Sequence, residues 1–583
     1  MAGTVVLTRS YDNARTGACT SETVLTASAV ASRGLKRVRS FAVDDDPRIE
    51  AQPLYVPDIR MPDGNKHNVL FIATMGNHVW AFDVDGTGVW KTPQLGLPFS
   101  PPETQQPGQH RSTSIDAWGI NISWGILSTP VIDLDTGRMY LVNWMVQPDG
   151  KPALFAHGID LSTMTEIGTP EPIKAQFADH TGQKITVQGK PVVLQPDQKQ
   201  RAALLLVPLR GEQKTLFVCT TGGEHPGSPH GWMVAFDINI LKQTAAWVST
   251  PSSFGGGMWQ ASQGPAADED GNVYVITGNG GYVTDHKNRI RDFNGDTDFA
   301  EAVVRLKYER LPSGGRLSLA DWFIPFRDSD RNTVAGYDYR DQDLGSAGPV
   351  LPPGTNLLLA GGKDGILYVL DRKNLGKKIA DMSVLKSPPI FITYNGVGLS
   401  ATGNIDFPLG EPSDRPNKTH HLHGSPAYWD GSNGPMVFVW GENESLRSWK
   451  LDTNSGALTF VAKGAEVASA AEAASPTGVG GMPGAMLAIT SNGNLPGTGI
   501  VWALAPIDGD ANHDVVEGIA RAYDAVELDP TPIDPQTPRM KLLWDSKRAG
   551  ITYNHAKFCA PVVADGRLFV PTYDGRVDVY MLA

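Results

Sequence analysis

Cysteine is scarce in this sequence, long apolar runs are missing and so is any basic cluster, and each absence excludes something. Three cysteines in 583 residues, Cys19, Cys219 and Cys559, are too few and too far apart for a disulfide framework. They form no CxxC or CxxCH, which excludes zinc-ribbon, thioredoxin-like and attached-haem chemistry. The longest apolar stretches, such as Ala202–Leu209, fall far short of the roughly 20 residues that a membrane-spanning helix needs. Lys and Arg number 50 against 62 Asp and Glu, a net charge of −12. An acidic chain without a basic run is a poor partner for nucleic acid or an anionic membrane. No G-x-S-x-G elbow of the hydrolase type is present. The start, Met1-Ala2-Gly3-Thr4, is not a signal peptide and fits either a cytoplasmic start or a mature secreted chain.

What the sequence has in quantity is turn residues, with 63 glycines and 43 prolines. Hydrophobic residues at 41% and charged residues at 19% give an ordinary globular balance. Together these favour many short strands. A strand with Pro or a small residue near its start recurs along the chain. Its copies are Gln52–Val56, Ser128–Ile132, Ala202–Leu206, Gln263–Ala267, Ala347–Leu351, Gly424–Tyr428, Pro483–Leu487 and Cys559–Val563. The spacing is irregular, about 60–85 residues, in the manner of a blade repeat with loops of variable length. Second and third strands follow, as in Val69–Ala73 with Val79–Asp83, Asn272–Thr277, and Gly365–Asp371. Several units end in an Ala-x-Asp strand and a later Trp: Ala81, Asp83 and Trp90; Ala235, Asp237 and Trp247; Ala522, Asp524 and Trp544. The Trp would pack between sheets and the Asp would tie a turn. Eight copies without competing helical periodicity read as all-β, an eight-bladed β-propeller of four-stranded antiparallel blades. It would form a single domain over residues 1–583, closed by the N- and C-terminal segments together. Gly464–Pro476, rich in Ala, Ser and Glu, reads as an inserted loop or short helix over 464–476.

With these motifs in view, the chain resembles the pyrroloquinoline quinone (PQQ) dehydrogenases. These are eight-bladed quinoproteins that oxidise alcohols or sugars. The resemblance runs from Tyr11-Asp12-Asn13-Ala14-Arg15-Thr16-Gly17 to the last blade. It implies a quinone-contacting carboxylate at Glu50, in Glu50-Ala51-Gln52-Pro53-Leu54. It implies a metal-ligating Glu224 in Thr220-Thr221-Gly222-Gly223-Glu224, where the hydroxyls and glycines would approach a flat cofactor. Trp259, after Gly255-Gly256-Gly257, would stack on one face of the quinone. Asn279, in Thr277-Gly278-Asn279-Gly280, would be a second metal ligand. In Asp341-Gln342-Asp343 the first carboxylate would be the catalytic base, taking the hydroxyl proton as hydride passes to the quinone. The second would add a ligand of the kind associated with lanthanide rather than Ca²⁺. Lys363, in Gly362-Lys363-Asp364-Gly365, would stabilise the reduced quinone oxygen. The implied cofactors are PQQ and Ca²⁺ or a lanthanide. The implied partners are a small-molecule substrate and an external electron acceptor. The implied location is periplasmic or secreted, with the cytoplasm left open.

Two features depart from the family. No two cysteines are adjacent, and no arginine stands near Trp124 in Asn121-Ile122-Ser123-Trp124-Gly125 to bind a cofactor carboxylate, although His110 or Arg111 lies upstream. A histidine set belongs to no family motif: His420-His421-Leu422-His423 before one inner strand and Asn554-His555-Ala556-Lys557 before another. In an extended segment His421 and His423 face the same side. His421, His423 and His555 are therefore alternative ligands for a transition metal or an anion. His225 and His230 flank Glu224 and fit either scheme. Three readings stay open: a quinoprotein-like oxidoreductase, a non-catalytic scaffold or binding propeller with a degenerate site, and a metal-dependent enzyme of other chemistry. Paired, self-neutralised side chains are expected of the second, and converging histidines of the third.

Overall fold

Strands covered on both faces lose the polar–apolar alternation of a half-exposed sheet and read as nearly continuous apolar runs. Val79–Asp83 and Trp232–Asp237 are of this kind and are buried throughout, whereas the outer Val89–Lys91 keeps exposed residues. The structure, a computed structural model, describes the chain except for residues 1–2, 101–119, 179–182, 188, 197, 209–213, 223–228, 281–294, 313, 326–342, 378–383, 387–389, 392–420, 470–481 and 513.

The strands form the blades of an eight-bladed β-propeller. Blade 1 is Leu54–Arg60, Lys66–Ala73, Val79–Asp83 and Val89–Lys91, antiparallel and in sequence order. Blades 2, 3 and 4 begin at Val131–Asp133, Leu205–Pro208 and Ala266–Ala267, and blades 6, 7 and 8 at Ala427–Gly431, Met486–Thr490 and Val562–Ala564. Each lies at or just after a copy of the sequence repeat. In blade 5 the inner strand shrinks to one bridge, Val350 with Leu359, beside Leu357–Gly361, Ile366–Asp371 and Ile390–Phe391. The outer strand of blade 8 comes from the other end of the chain, where Leu35–Ala42 pairs antiparallel with Arg576–Leu582.

Apolar clusters lie between successive blades and run around the ring. Leu141 of blade 2 packs with blade 1, Leu216 of blade 3 with blade 2, and Tyr523 of blade 7 with Trp440 beside blade 6. The recurring Asp ties its turn, as the side chains of Asp83, Asp237 and Asp524 accept from the amides of Asp85, Asn239 and Val526. Ala81 lies opposite Trp90 and Ala522 opposite Trp544, but Trp247 faces Met233, and Ala235 faces Ala245 instead. The expected insertion over 464–476 needs correction. Gly464–Val467 belong to the strand Leu458–Val467, because pairing with Ser445–Leu451 and a Glu466 bond to the Tyr523 hydroxyl outweigh the Ala/Ser composition. Residues 470–476 lie outside the described residues.

The N-terminal segment crosses the centre of the ring. Val6 pairs with Tyr55 of blade 1, and the Leu7 carbonyl accepts from Ile132 of blade 2. The Asn13 side chain donates to Leu206 of blade 3, at 2.7 Å. The carbonyls of Asn13, Ala14, Thr16 and Gly17 accept from Ala267, Leu351, Tyr428 and Ile489 of blades 4 to 7. The Tyr11 hydroxyl accepts from the Val563 amide of blade 8, at 2.9 Å. One short segment thus bonds to all eight inner strands. Arg15, fully buried, donates to the carbonyls of Pro265, Leu204 and Arg9 and to the Thr8 hydroxyl at 2.7–2.9 Å. Arg15→Ala leaves those acceptors without a donor. It is expected to cost about 3 kcal/mol or more, read as a lower denaturant midpoint at unchanged m-value.

Candidate axial site

Beyond the N-terminal segment, the residues just ahead of the inner strands gather around the axis from different blades. Glu50, ahead of blade 1, is completely buried. Its carboxylate pairs with Arg201, ahead of blade 3, at 2.6 Å, and accepts from the Tyr573 hydroxyl at 2.6 Å and the Asn121 amide at 3.0 Å. Burial would push this carboxyl up, but the charges of Arg201 and Lys557 and those two hydrogen bonds outweigh it and hold the pKa at about 2. The Arg201 guanidinium lies 4.9 Å from the ring centre of Phe558, ahead of blade 8. The cation for Glu50 is Arg201, a residue that no motif marked. His110 and Arg111 lie outside the described residues.

Trp124 is buried edge-on against Trp144. Lys199 lies 4.6 Å from its ring centre and 5.9 Å from that of Trp259. Trp259, partly exposed, opens a tight turn ahead of blade 4. The next three residues, Gln260, Ala261 and Ser262, all have positive φ, at 51°, 39° and 68°. Consecutive non-glycine residues in this region store strain, which concentrates at ligand sites and switches.

Asn279 and Asp343 meet between blades 4 and 5. Asp343, buried, accepts from the Asn279 backbone N–H at 2.8 Å and pairs with the Lys363 ammonium at 2.7 Å. Gly278 has no Cβ because one would collide with the Asp343 carboxylate. Lys363 thus makes its hydrogen bond to a carboxylate of the protein. Asp341, Gly223 and Glu224 lie outside the described residues, as do His225 and His420.

Thr220, Thr221 and Gly222 have partners within the chain. The Thr220 hydroxyl accepts from the Gln198 side chain at 2.7 Å and the Trp232 amide at 3.1 Å, and Thr221 donates to the Lys199 carbonyl at 3.1 Å. A Cβ on Gly257 would strike the Gly222 amide, so these glycines let two backbone segments approach each other. The Thr220 and Thr221 hydroxyls and the close approach at Gly222 are engaged by this chain's own backbone and side chains.

The histidine set divides. His421 and His423, both buried, face Glu442, which follows the second strand of their own blade and is fully buried. His423 Nε2 is 3.0 Å and His421 Nδ1 3.6 Å from its two oxygens. Leu422, between them, points into the core. Burial, followed by the charge of Lys363, pushes His423 down to about 3. His555 does not join this group. Its amide donates to the Val516 carbonyl at 2.9 Å, and its ring nitrogens have no hydrogen-bond partner among the described residues. Burial pushes it, too, down to about 3. Glu442 and not His555 completes the set. His230 lies 3.4 Å from the Thr250 hydroxyl, and burial lowers its pKa.

No family model matches the chain, and no curated protein matches it. Among solved structures it is similar to the quinohemoprotein alcohol dehydrogenase of Comamonas testosteroni. The identity is 14% and the TM-score 0.53, over 99% of this chain and 80% of that one. A europium-containing methanol dehydrogenase gives 15% identity and a TM-score of 0.48, over 97% and 81%. Saccharomyces cerevisiae Sqt1 gives 9% and 0.43, over 94% and 99%. The first likeness shows the propeller fold. Among the described residues no helix is long and apolar enough to cross a membrane.

Arg201→Ala strands a buried carboxylate and is expected to destabilise the fold by about 3–5 kcal/mol in urea titrations at neutral pH. Glu50 has a folded pKa of about 2, below its ordinary 4.5, so its contribution is complete above about pH 4.5 and is lost as the pH falls towards 2. Glu50→Gln should flatten that part of the stability–pH curve. An unchanged curve would mean that Glu50 is not the group that titrates.

Proposed function

We propose that the axial cluster is the site of a quinoprotein-type oxidoreductase that oxidises a hydroxyl group of a small molecule. The observation that carries this reading is the strained turn presenting the partly exposed Trp259 beside Lys199. An aromatic face next to a cation suits a planar polyanion such as PQQ. The donor set near it also fits: the side-chain oxygens of Asn279 and Asp343 suit a Ca²⁺ or lanthanide ion. Trp259 and Lys199 would hold the quinone, with Asn279 and Asp343 holding the cation. When bound, PQQ supplies the two-electron acceptor. Lys363 pairs with Asp343 at 2.7 Å and so holds that carboxylate in place. Asp341, two residues away, is the base proposed to take the substrate proton. An electron acceptor outside the chain would reoxidise the cofactor.

A second reading, a non-catalytic binding propeller, has its own support. Glu50–Arg201 and Asp343–Lys363 are pairs formed within the protein, and the Thr220 and Thr221 hydroxyls are engaged by their own chain. Titration of chelator-treated protein with PQQ plus Ca²⁺ or La³⁺, followed by absorbance and dye-linked oxidation of alcohols and sugars, separates the two. The oxidoreductase reading expects saturable binding, lost in Trp259→Ala and weakened at least about 10-fold in Lys199→Ala, since a lost charge-assisted contact is worth roughly 1.5–3 kcal/mol. No binding with either ion would overturn it in favour of the second reading.

A further inference from the structure

We propose that His421, His423 and Glu442 form a binding site for one divalent transition ion of the zinc–iron class, separate from the oxygen donors at Asn279 and Asp343. One nitrogen of each imidazole and one carboxylate oxygen lie within 4.8 Å of one another, and all three residues are buried. The convergence is built by backbone. His421 and His423 stand two apart in an extended segment, with Leu422 anchored on the opposite side. There the Leu422 amide donates to Gly362 at 3.1 Å, and its carbonyl accepts from the Ser346 hydroxyl at 2.8 Å. The Glu442 amide donates to the His421 carbonyl at 2.9 Å, which brings the carboxylate to the two rings. A Cβ on Gly484 would collide with the Gly441–Glu442 backbone, so the neighbouring blade also fixes this position.

A simple hydrogen-bonded pair fits these contacts less well than a shared ion. His423 Nε2 faces a Glu442 oxygen at 3.0 Å but makes no aligned hydrogen bond among the described residues. Two histidines with one carboxylate are the donors that zinc and non-haem iron take, with positions left for water or substrate. The site also adjoins the axis, since the His423 ring centre is 5.8 Å from that of Phe558, beneath Arg201. An ion here would share the axial space with whatever ligand the propeller holds.

The test uses the full chain, stripped with a chelator and titrated with Co²⁺ and Zn²⁺ in the absence of any quinone. Visible Co²⁺ absorbance, calorimetry and metal content are read together. The expected result is one ion per chain, with affinity at least about 100-fold weaker in His423→Ala and Glu442→Ala. Bound Zn²⁺ should raise the melting temperature of the wild type and not of these variants. His67→Ala, which removes a surface histidine between Asp63 and Asp83, should bind as the wild type does. Glu442→Gln keeps the side-chain shape if Glu442→Ala fails to fold. No stoichiometric binding to the wild type, or binding unchanged in His423→Ala and Glu442→Gln, would overturn the proposal. Because no quinone is present, failure here is distinct from failure of the oxidoreductase reading.

Discussion

A single stretch of backbone, residues 6–17, offers a hydrogen bond to the inner strand of every blade, and the other features of the axis follow from that constraint. A propeller assembled only from blade-to-blade packing leaves its centre open. Here the centre is crossed by chain, and Arg15 satisfies three carbonyls and a hydroxyl that would otherwise be buried without partners. The same chain end goes on to complete blade 8 through Leu35–Ala42. Ring closure and axis closure are thus joined through one N-terminal run.

With that end occupied, the polar residues collect where the chain enters each inner strand. Their charges meet in pairs, Glu50 of blade 1 with Arg201 of blade 3, and Asp343 ahead of blade 5 with Lys363 of the same blade. In a buried setting such pairs contribute little net stability, yet breaking one leaves a costly lone charge. Glu50–Arg201 ties blades 1 and 3 across the axis, Asp343–Lys363 fixes the entry to blade 5, and Trp259, Lys199 and the histidine–glutamate set line the same axial region.

The positions of the eight inner strands were legible because Pro or a small residue stands near the start of each copy, and the middle strands because burial on both faces makes them continuously apolar; the length of each was not. The shrunken strand of blade 5 was not, since Ala347–Leu351 looks like the other copies. The strand ending at Val467 was also hidden, because its pairing and the Glu466–Tyr523 bond are tertiary. In the site, His421 and His423 were marked by their spacing. Glu442 and Arg201 were not, for each acts on residues distant in sequence. A usable signal for Arg201 was its place just ahead of an inner-strand copy, the same place held by Glu50 and Phe558.

The sequence by itself determined the all-β repeat, the turns tied by aspartate and the set of chemically capable residues, because these depend on local periodicity and residue type. Only the tertiary structure decided the partners. It joined Glu50 to Arg201, turned Lys363 towards Asp343, gave the Thr220 and Thr221 hydroxyls to their own chain and set Glu442 before two histidines. Partner choice depends on how the ring joins blades and how each blade folds its own strands back, and no local periodicity along the chain encodes those distances.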